Sequence, residues 1–440
     1  MDILIKVIQL FLCFTLLVGI HELGHFLMAR VFGIRVEKFY IFFDPWFSLF
    51  KFRRGGTEYG VGWLPLGGYV KIAGMIDESL DTEQMKQPVQ PDEFRAKPAW
   101  QRFLVMIAGI VMNLLLAVAI YCGICYTWGE KYFANEDALY GYTFNTAAQS
   151  LGFENGDKIV SIDGQPIDDV NDIAMTLLLT EGDRTVVVER DGRRTSFTIP
   201  FRQLVDFRRA KGYEEMLTLR TPFRIDSVAS AAALAAGLRS GDEIVALDGE
   251  RHGEFAEYVG LLADRKSTDV QLTVVRGDST LVLTVPVGAD GKIGVAVARP
   301  DYRLRTKEYT FWQSIPAGIR RTGSVMANYW EQLKLIVQPK TQMYEELGGF
   351  IAIGSIFPSA WNWQDFWSKC AFISIILAIM NILPIPGLDG GHALFTLWEM
   401  LTGRKPSDRF LEAAQYVGLA IILLLLVYAN GNDIYRFFIK

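Results

Sequence analysis

Four stretches of nearly unbroken apolar residues stand out along the chain: about Ile3 to Phe32, Phe103 to Trp128, Phe366 to Leu383 and Phe410 to Tyr428. A helix needs roughly 20 mainly apolar residues to cross the hydrocarbon core of a bilayer. The pattern predicts four spans, placed at 1–32, 101–128, 366–391 and 410–429. The first has Asp2 beside Lys6 instead of a basic start, and no small-x-small pattern follows it, so it reads as a retained span and not a leader. Between the first two spans, TEYGVGWLPLGGYVKI (Thr57 to Ile72) alternates apolar residues around Gly67-Gly68, which predicts a β-hairpin. The stretch before it, Phe39 to Phe52, is crowded with Phe, Tyr and Trp, as suits a membrane interface. Residues 77–98, rich in Asp, Gln and Pro, read as a flexible linker, so the interval 33–100 is a β-hairpin region plus linker. Residues 311–338 have a helical apolar period interrupted by Arg320, Arg321, Glu331 and Lys334. They predict an amphipathic helix, lying on the membrane surface or packed under the domain before it.

The long polar middle contains a repeat. Gly152-FENGDKIVSID-Gly164 realigns as Gly237-LRSGDEIVALD-Gly249, 85 residues later. Each copy continues as a helical segment and then alternating strands, Thr185 to Glu189 and Val270 to Val275. Two small α+β domains are expected, at 135–205 and 221–300.

Composition adds exclusions. The net charge of -5 offers no basic face for nucleic acid. Cys13, Cys122, Cys125 and Cys370 all lie in apolar runs, so the polar middle has no disulfide framework. Cys122 and Cys125 lack the second pair that a zinc knuckle would need, and packing explains them better. The interval between the first two spans is studded with Lys and Arg from Arg30 to Arg102, and Arg404, Lys405 and Arg409 lie between the last two. Basic loops stay cytoplasmic. The N-terminus, the polar middle and the C-terminus are then extracytoplasmic.

The chemistry is concentrated at two places. His21-Glu22-Leu23-Gly24-His25 ends the first span. Residues i and i+4 share a helix face, so both imidazoles can reach one zinc ion, with Glu22 beside it as a base. Zinc lowers the pKa of its water to about 7, which makes a nucleophile at neutral pH. Histidines snorkelling at the interface would not explain Glu22 between them, and ionisable groups in a span are functional by default. A hydrolytic zinc needs a third protein ligand and one open position. Asn381-ILPIPGL-Asp389-GGH supplies a carboxylate, where Pro384 and Pro386 break the helix. His21 lies about 18 residues, or roughly 27 Å, from the outer start of its span. Asp389 lies about 23 residues beyond the outer start of the third, at 1.5 Å each. The two groups arrive on the same side.

HELGH in the first span and NILPIPGLDGG after the third make the chain resemble the site-2 protease family of intramembrane zinc metalloproteases, in particular the RseP-like regulator-of-sigma-E proteases of bacteria. The Gly-Asp-x-Ile-Val repeat likewise resembles the PDZ domains of bacterial proteases. The resemblance covers nearly the whole chain. It implies a polytopic membrane protein with a four-helix transmembrane metalloprotease core, a cytoplasmic-side membrane-associated β-hairpin region and two extracytoplasmic PDZ-like α+β domains, in the bacterial inner membrane. By it, His21, His25 and Asp389 bind Zn2+, Glu22 is the general base, and Asn381 helps hold the substrate backbone. Asn113 in the second span reads either as a polar group facing the site or as glue between helices, and Gly67-Gly68 as part of an edge offered to substrate. The implied substrates are single-pass membrane proteins already trimmed outside, such as an anti-sigma factor, or signal-peptide remnants. The PDZ pair would bind peptides by strand addition or filter substrates by size. The chain departs from the family where Gly109-Ile110 and Gly349-Phe350 replace Gly-Pro. A non-catalytic PDZ scaffold would not need Glu22, and a zinc transporter would spread its polar groups along several spans.

Overall fold

The apolar runs form long helices in a computed structural model that describes residues 2–64, 67–75, 87–298, 302 and 304–439. The chain divides into two units, residues 1–130 with 308–440, and residues 131–307.

In the first unit, α1 (Asp2–Val31) and α2 (Ala99–Trp128) pack closely where Gly24 lies against α2. A Cβ there would sit 2.5 Å from the carbonyl oxygen of Ala108. Further on come α3 (Phe311–Val337), α4 (Phe350–Ser355), α5 (Trp363–Ile382), α6 (Asp389–Thr402) and α7 (Asp408–Ile434). Among the described residues, Ile3–Val31, Ala99–Trp128, Trp363–Ile382 and Arg409–Phe437 are long and apolar enough to cross a membrane. The third run ends earlier than 391. Pro384 and Pro386 cannot continue the hydrogen-bond ladder, so α5 stops at Ile382 and a new helix opens at Asp389.

α3 occupies the stretch expected as an amphipathic helix at 311–338. It lies along α2 and α5, with Val325, Tyr329 and Leu333 against a core of Ala117, Tyr121, Ile124, Ala371 and Ile375. Gly318 permits this, because a Cβ would meet Cys122 Sγ at 2.5 Å, and the guanidinium of Arg321 covers the Tyr121 ring at 5.0 Å. The polar positions that break its hydropathy thus face partners in part. At the far end of α7, the buried Asp433 accepts the backbone N–H groups of Ile351 and Ala352, capping α4.

The interval after α1 forms a four-stranded sheet, β1 (Val36–Ile41), β2 (Phe43–Arg54), β3 (Thr57–Leu64) and β4 (Tyr69–Ile72), in the order β2-β3-β1-β4. The hairpin expected at 57–72 is corrected. β3 and β4 do not pair; β1 lies between them, parallel to β3 and antiparallel to β4. Four connecting residues reach roughly 13 Å, enough to step over one strand, about 9.6 Å at two inter-strand spacings. What selects that route is the core: Val36, Val70 and Ile72 bury together against Ala29, Val105 and Met106 of α1 and α2. The hairpin is instead β2–β3, turning at Gly55 and Gly56, both left-handed (φ 61° and 84°). Of the expected linker, residues 76–86 lie outside the described residues. Its second half is docked: Phe94 is buried and donates its N–H to Ala73, and Asp92 accepts the N–H of Arg35.

In the second unit the two halves build matching features. Asp157 and Asp242, both without exposed surface, each receive a two-pronged guanidinium, from Arg190 and Arg276. Burial pushes the Asp242 carboxyl up, but Arg276 and the Arg239 amide more than offset it, leaving it below the usual carboxylate range. Asp163 and Asp248, both left-handed, accept the N–H groups of Thr185 and Gln271. The first half extends past residue 205. Phe201–Arg209 is a helix with Leu204 and Phe207 in the same core, and strand Leu217–Leu219 returns to pair with Tyr142–Phe144.

Candidate metal centre

One face of α1, one face of α2 and the start of α6 meet at a single point. Val105, Gly109 and Asn113 recur every four residues on α2 and therefore line one stripe. That stripe faces His21 and His25. Nδ1 of His25 donates to the carbonyl of Val105 at 2.8 Å. A carbonyl can only accept, so this bond places the proton on Nδ1 and leaves the Nε2 lone pair aimed at the centre. Nδ1 of His21 lies 3.3 Å from the Asn113 side-chain amide. Gly109 sits between the two rings, where a Cβ would approach His25 Nε2 to 2.5 Å and His21 Nε2 to 2.8 Å. No larger residue leaves room.

Asp389 comes from the other side. Gly390 and Gly391 let the start of α6 press against the break: Cβ atoms there would meet the carbonyl oxygens of Leu383 and Ile385 at 2.3 and 2.5 Å. The break is covered in turn by α7, whose Gly418 lies directly on Pro386. Asp389 Oδ2 then stands 3.0 Å from His21 Nε2 and 3.3 Å from His25 Nε2, with the two nitrogens 3.2 Å apart. Oδ2 is shielded from solvent and accepts no hydrogen bond. Three electron-pair donors facing one another in a buried place call for a cation. The three edges suit zinc: tetrahedral bonds of about 2.0–2.1 Å put ligand atoms about 3.3 Å apart. Among the described residues, these are the one group of three His, Cys, Asp or Glu side chains so placed.

The centre opens into a cleft of about 570 Å³, with Glu22 and Asn381 on its wall. Asn381 lies 3.5 Å from His21 Nε2. Opposite runs β4, the last strand of its sheet among the described residues, and Gly68 together with all four of its residues borders the cleft. Gly68 is forced by contact: a Cβ would meet the Tyr40 carbonyl oxygen at 2.6 Å. Gly67, with a φ of 145°, lies against the Phe43 ring instead of the cleft. Asn113 has no exposed surface and stands behind His21, and its backbone carbonyl accepts from the Ser374 hydroxyl on α5.

Sequence reasoning passed over Gly109, His392 and Gln415. Gly109 precedes Asn113 by four residues, and that spacing was its signal. His392 follows Asp389 by one turn and borders the cleft together with Gln415, a buried amide in the first half of α7. A polar residue within a span is itself a pointer.

The sequence pattern described as peptidase family M50 matches residues 9–425. A protein of Haemophilus influenzae named regulator of sigma E protease is 29% identical over 452 positions, covering 96% of this chain and 97% of its own. A protein of Ralstonia nicotianae that carries a zinc metalloprotease name is 27% identical over 474 positions, covering 99% of each chain. Another such name belongs to a Clostridium perfringens protein, 28% identical and covering 96% of each.

Proposed function

This chain belongs to peptidase family M50 and is a multi-pass membrane zinc metalloprotease, and from that premise we propose that it cuts the transmembrane segments of single-pass membrane proteins. His21, His25 and Asp389 would hold the zinc ion. Zinc bound there supplies Lewis acidity and makes water a nucleophile near neutral pH. Glu22 takes the proton of the attacking water on its carboxylate and returns it to the amide nitrogen of the breaking bond. Asn381 donates its side-chain N–H to the substrate backbone beside the metal. Gly68 and β4, the last strand of its sheet among the described residues, border the cleft and receive the unwound substrate in extended form. Unwinding is required because a helical carbonyl is already hydrogen-bonded. The observation that supports this reading most is the convergence of three ligands from two distant segments at a cleft walled by Glu22 and Asn381.

The Lys/Arg bias supports a zinc site near the cytoplasmic side of a bacterial inner membrane, with both termini and residues 131–307 outside. We read those residues as two PDZ-like domains that bind peptide termini or exclude substrates whose outer domain has not been trimmed. The family name of one relative fits an anti-sigma factor as substrate. In a purified reaction, Glu22→Gln should keep zinc and lose cleavage of a transmembrane reporter. Equal cleavage by both proteins would remove the proposal.

A further inference from the structure

Two polar residues of the cleft, His392 and Gln415, neither hold the metal nor move the proton. His392 stands three residues after Asp389 on α6, so the two share one face of that helix. Helical side chains lean back toward the N-terminus, over the preceding turn. The His392 ring therefore reaches toward the metal centre, where it feels the charges of Asp389 and His25. Gln415 interacts with the same ring from α7. Its side chain is buried in a helix apolar enough to cross a membrane, where an amide without a partner is costly. A packing role alone fits His392 less well, because the ring is left partly uncovered at the cleft.

We propose that His392 is a further catalytic residue, whose ring N–H donates to the carbonyl oxygen of the bond being cut, and that Gln415 positions the ring. Attack by water moves the C=O electron pair onto that oxygen, and a fixed donor favours the charged oxygen over the neutral carbonyl. The proton stays on the ring, and proton transfer remains with Glu22. Such a donor stands about 2.7–3.1 Å from the oxygen it serves. Three residues of helix separate Asp389 from His392 by about 4.5 Å of rise, which leaves room for one carbonyl group between them. A primary amide can give or take a hydrogen bond. With the ring N–H turned to substrate, Gln415 turns its own N–H to the bare ring nitrogen and so keeps that tautomer. Other donors bordering the cleft are engaged elsewhere: Tyr69 gives its hydroxyl to Asp44, Lys71 pairs with Glu37, and Lys38 lies over the Tyr40 ring.

This proposal rests on the protease reading, and the test keeps the two apart. Full-length wild type, Glu22→Gln, His392→Leu, His392→Gln and Gln415→Leu are compared in nanodiscs for zinc content and for cleavage of a transmembrane reporter. His392→Leu should keep its zinc and its KM and lose about 100-fold in kcat, as for the loss of one such donor. His392→Gln restores an N–H and should recover part of that loss. Gln415→Leu should lower kcat less than His392→Leu does, again without loss of zinc. Binding is read without turnover in the Glu22→Gln background. There, adding His392→Leu should leave the Kd of the reporter nearly unchanged, because the donated bond gains its strength as the oxygen gains charge. Full kcat in His392→Leu or in Gln415→Leu, a weaker Kd that accounts for the whole loss, or zinc loss in both His392 variants would each overturn the proposal. Cleavage that survives in Glu22→Gln would remove the protease reading instead.

Discussion

At the scale of single residues, the centre depends as much on what is missing as on what is present. Gly109 has no side chain, and the space a methyl would fill is where two imidazoles turn their lone pairs. Gly109→Ala should therefore lower zinc content in the purified protein, and cleavage with it, by about the 10–100-fold typical of changes just outside a metal's ligands. Elemental analysis beside a reporter assay checks this; normal zinc with normal activity would show that the helices can part without cost. Glu22, His21 and His25 are legible in five consecutive letters because helix geometry alone puts i and i+4 together. Gly109 was not, since its neighbours in space are more than 80 positions away in the chain.

At the scale of elements, the break between α5 and α6 brings Asp389 to the histidines. Its two prolines stop one helix, its two glycines let the next begin at close quarters, and α7 holds it through Gly418. A Cβ at 418 would meet the Pro386 carbonyl at 1.4 Å. Gly418→Leu should thus push α7 away, displace Asp389 and abolish cleavage while membrane insertion persists. Protease protection of the inserted chain, read beside zinc content, distinguishes this from misfolding. The existence of these helices followed from apolar runs. Their partners did not: the helical period showed an amphipathic α3 too polar to span, but not that Val325, Tyr329 and Leu333 pack along α2 and α5. The sheet shows the same limit. Alternation predicted a hairpin over Thr57 to Ile72, but alternation does not say that β1 lies between its two strands.

At the scale of the molecule, residues 131–307 form a unit of their own, with two buried cores built around Ile159, Val186 and Val188, and around Ile244, Leu272 and Val274. All the residues of the metal centre lie in the other unit. Deleting residues 135–300 should leave zinc bound and let untrimmed substrates be cut. Mass spectrometry of the products from trimmed and untrimmed reporters reads the outcome, and unchanged selectivity would mean that these domains serve another purpose.

The local order of residues was sufficient for four spans, a His-Glu-x-x-His face, a break at Asp389 and a twofold repeat, since each of these is a matter of hydropathy, helical period or backbone restriction within a few turns. Only the folded chain decided that Asn113 is buried behind His21, that β4 comes last in its sheet among the described residues, and that α7 contributes a buried amide to the cleft. Those outcomes depend on which surfaces exclude water or lipid from one another. That choice is made between segments hundreds of residues apart, and no local pattern records it.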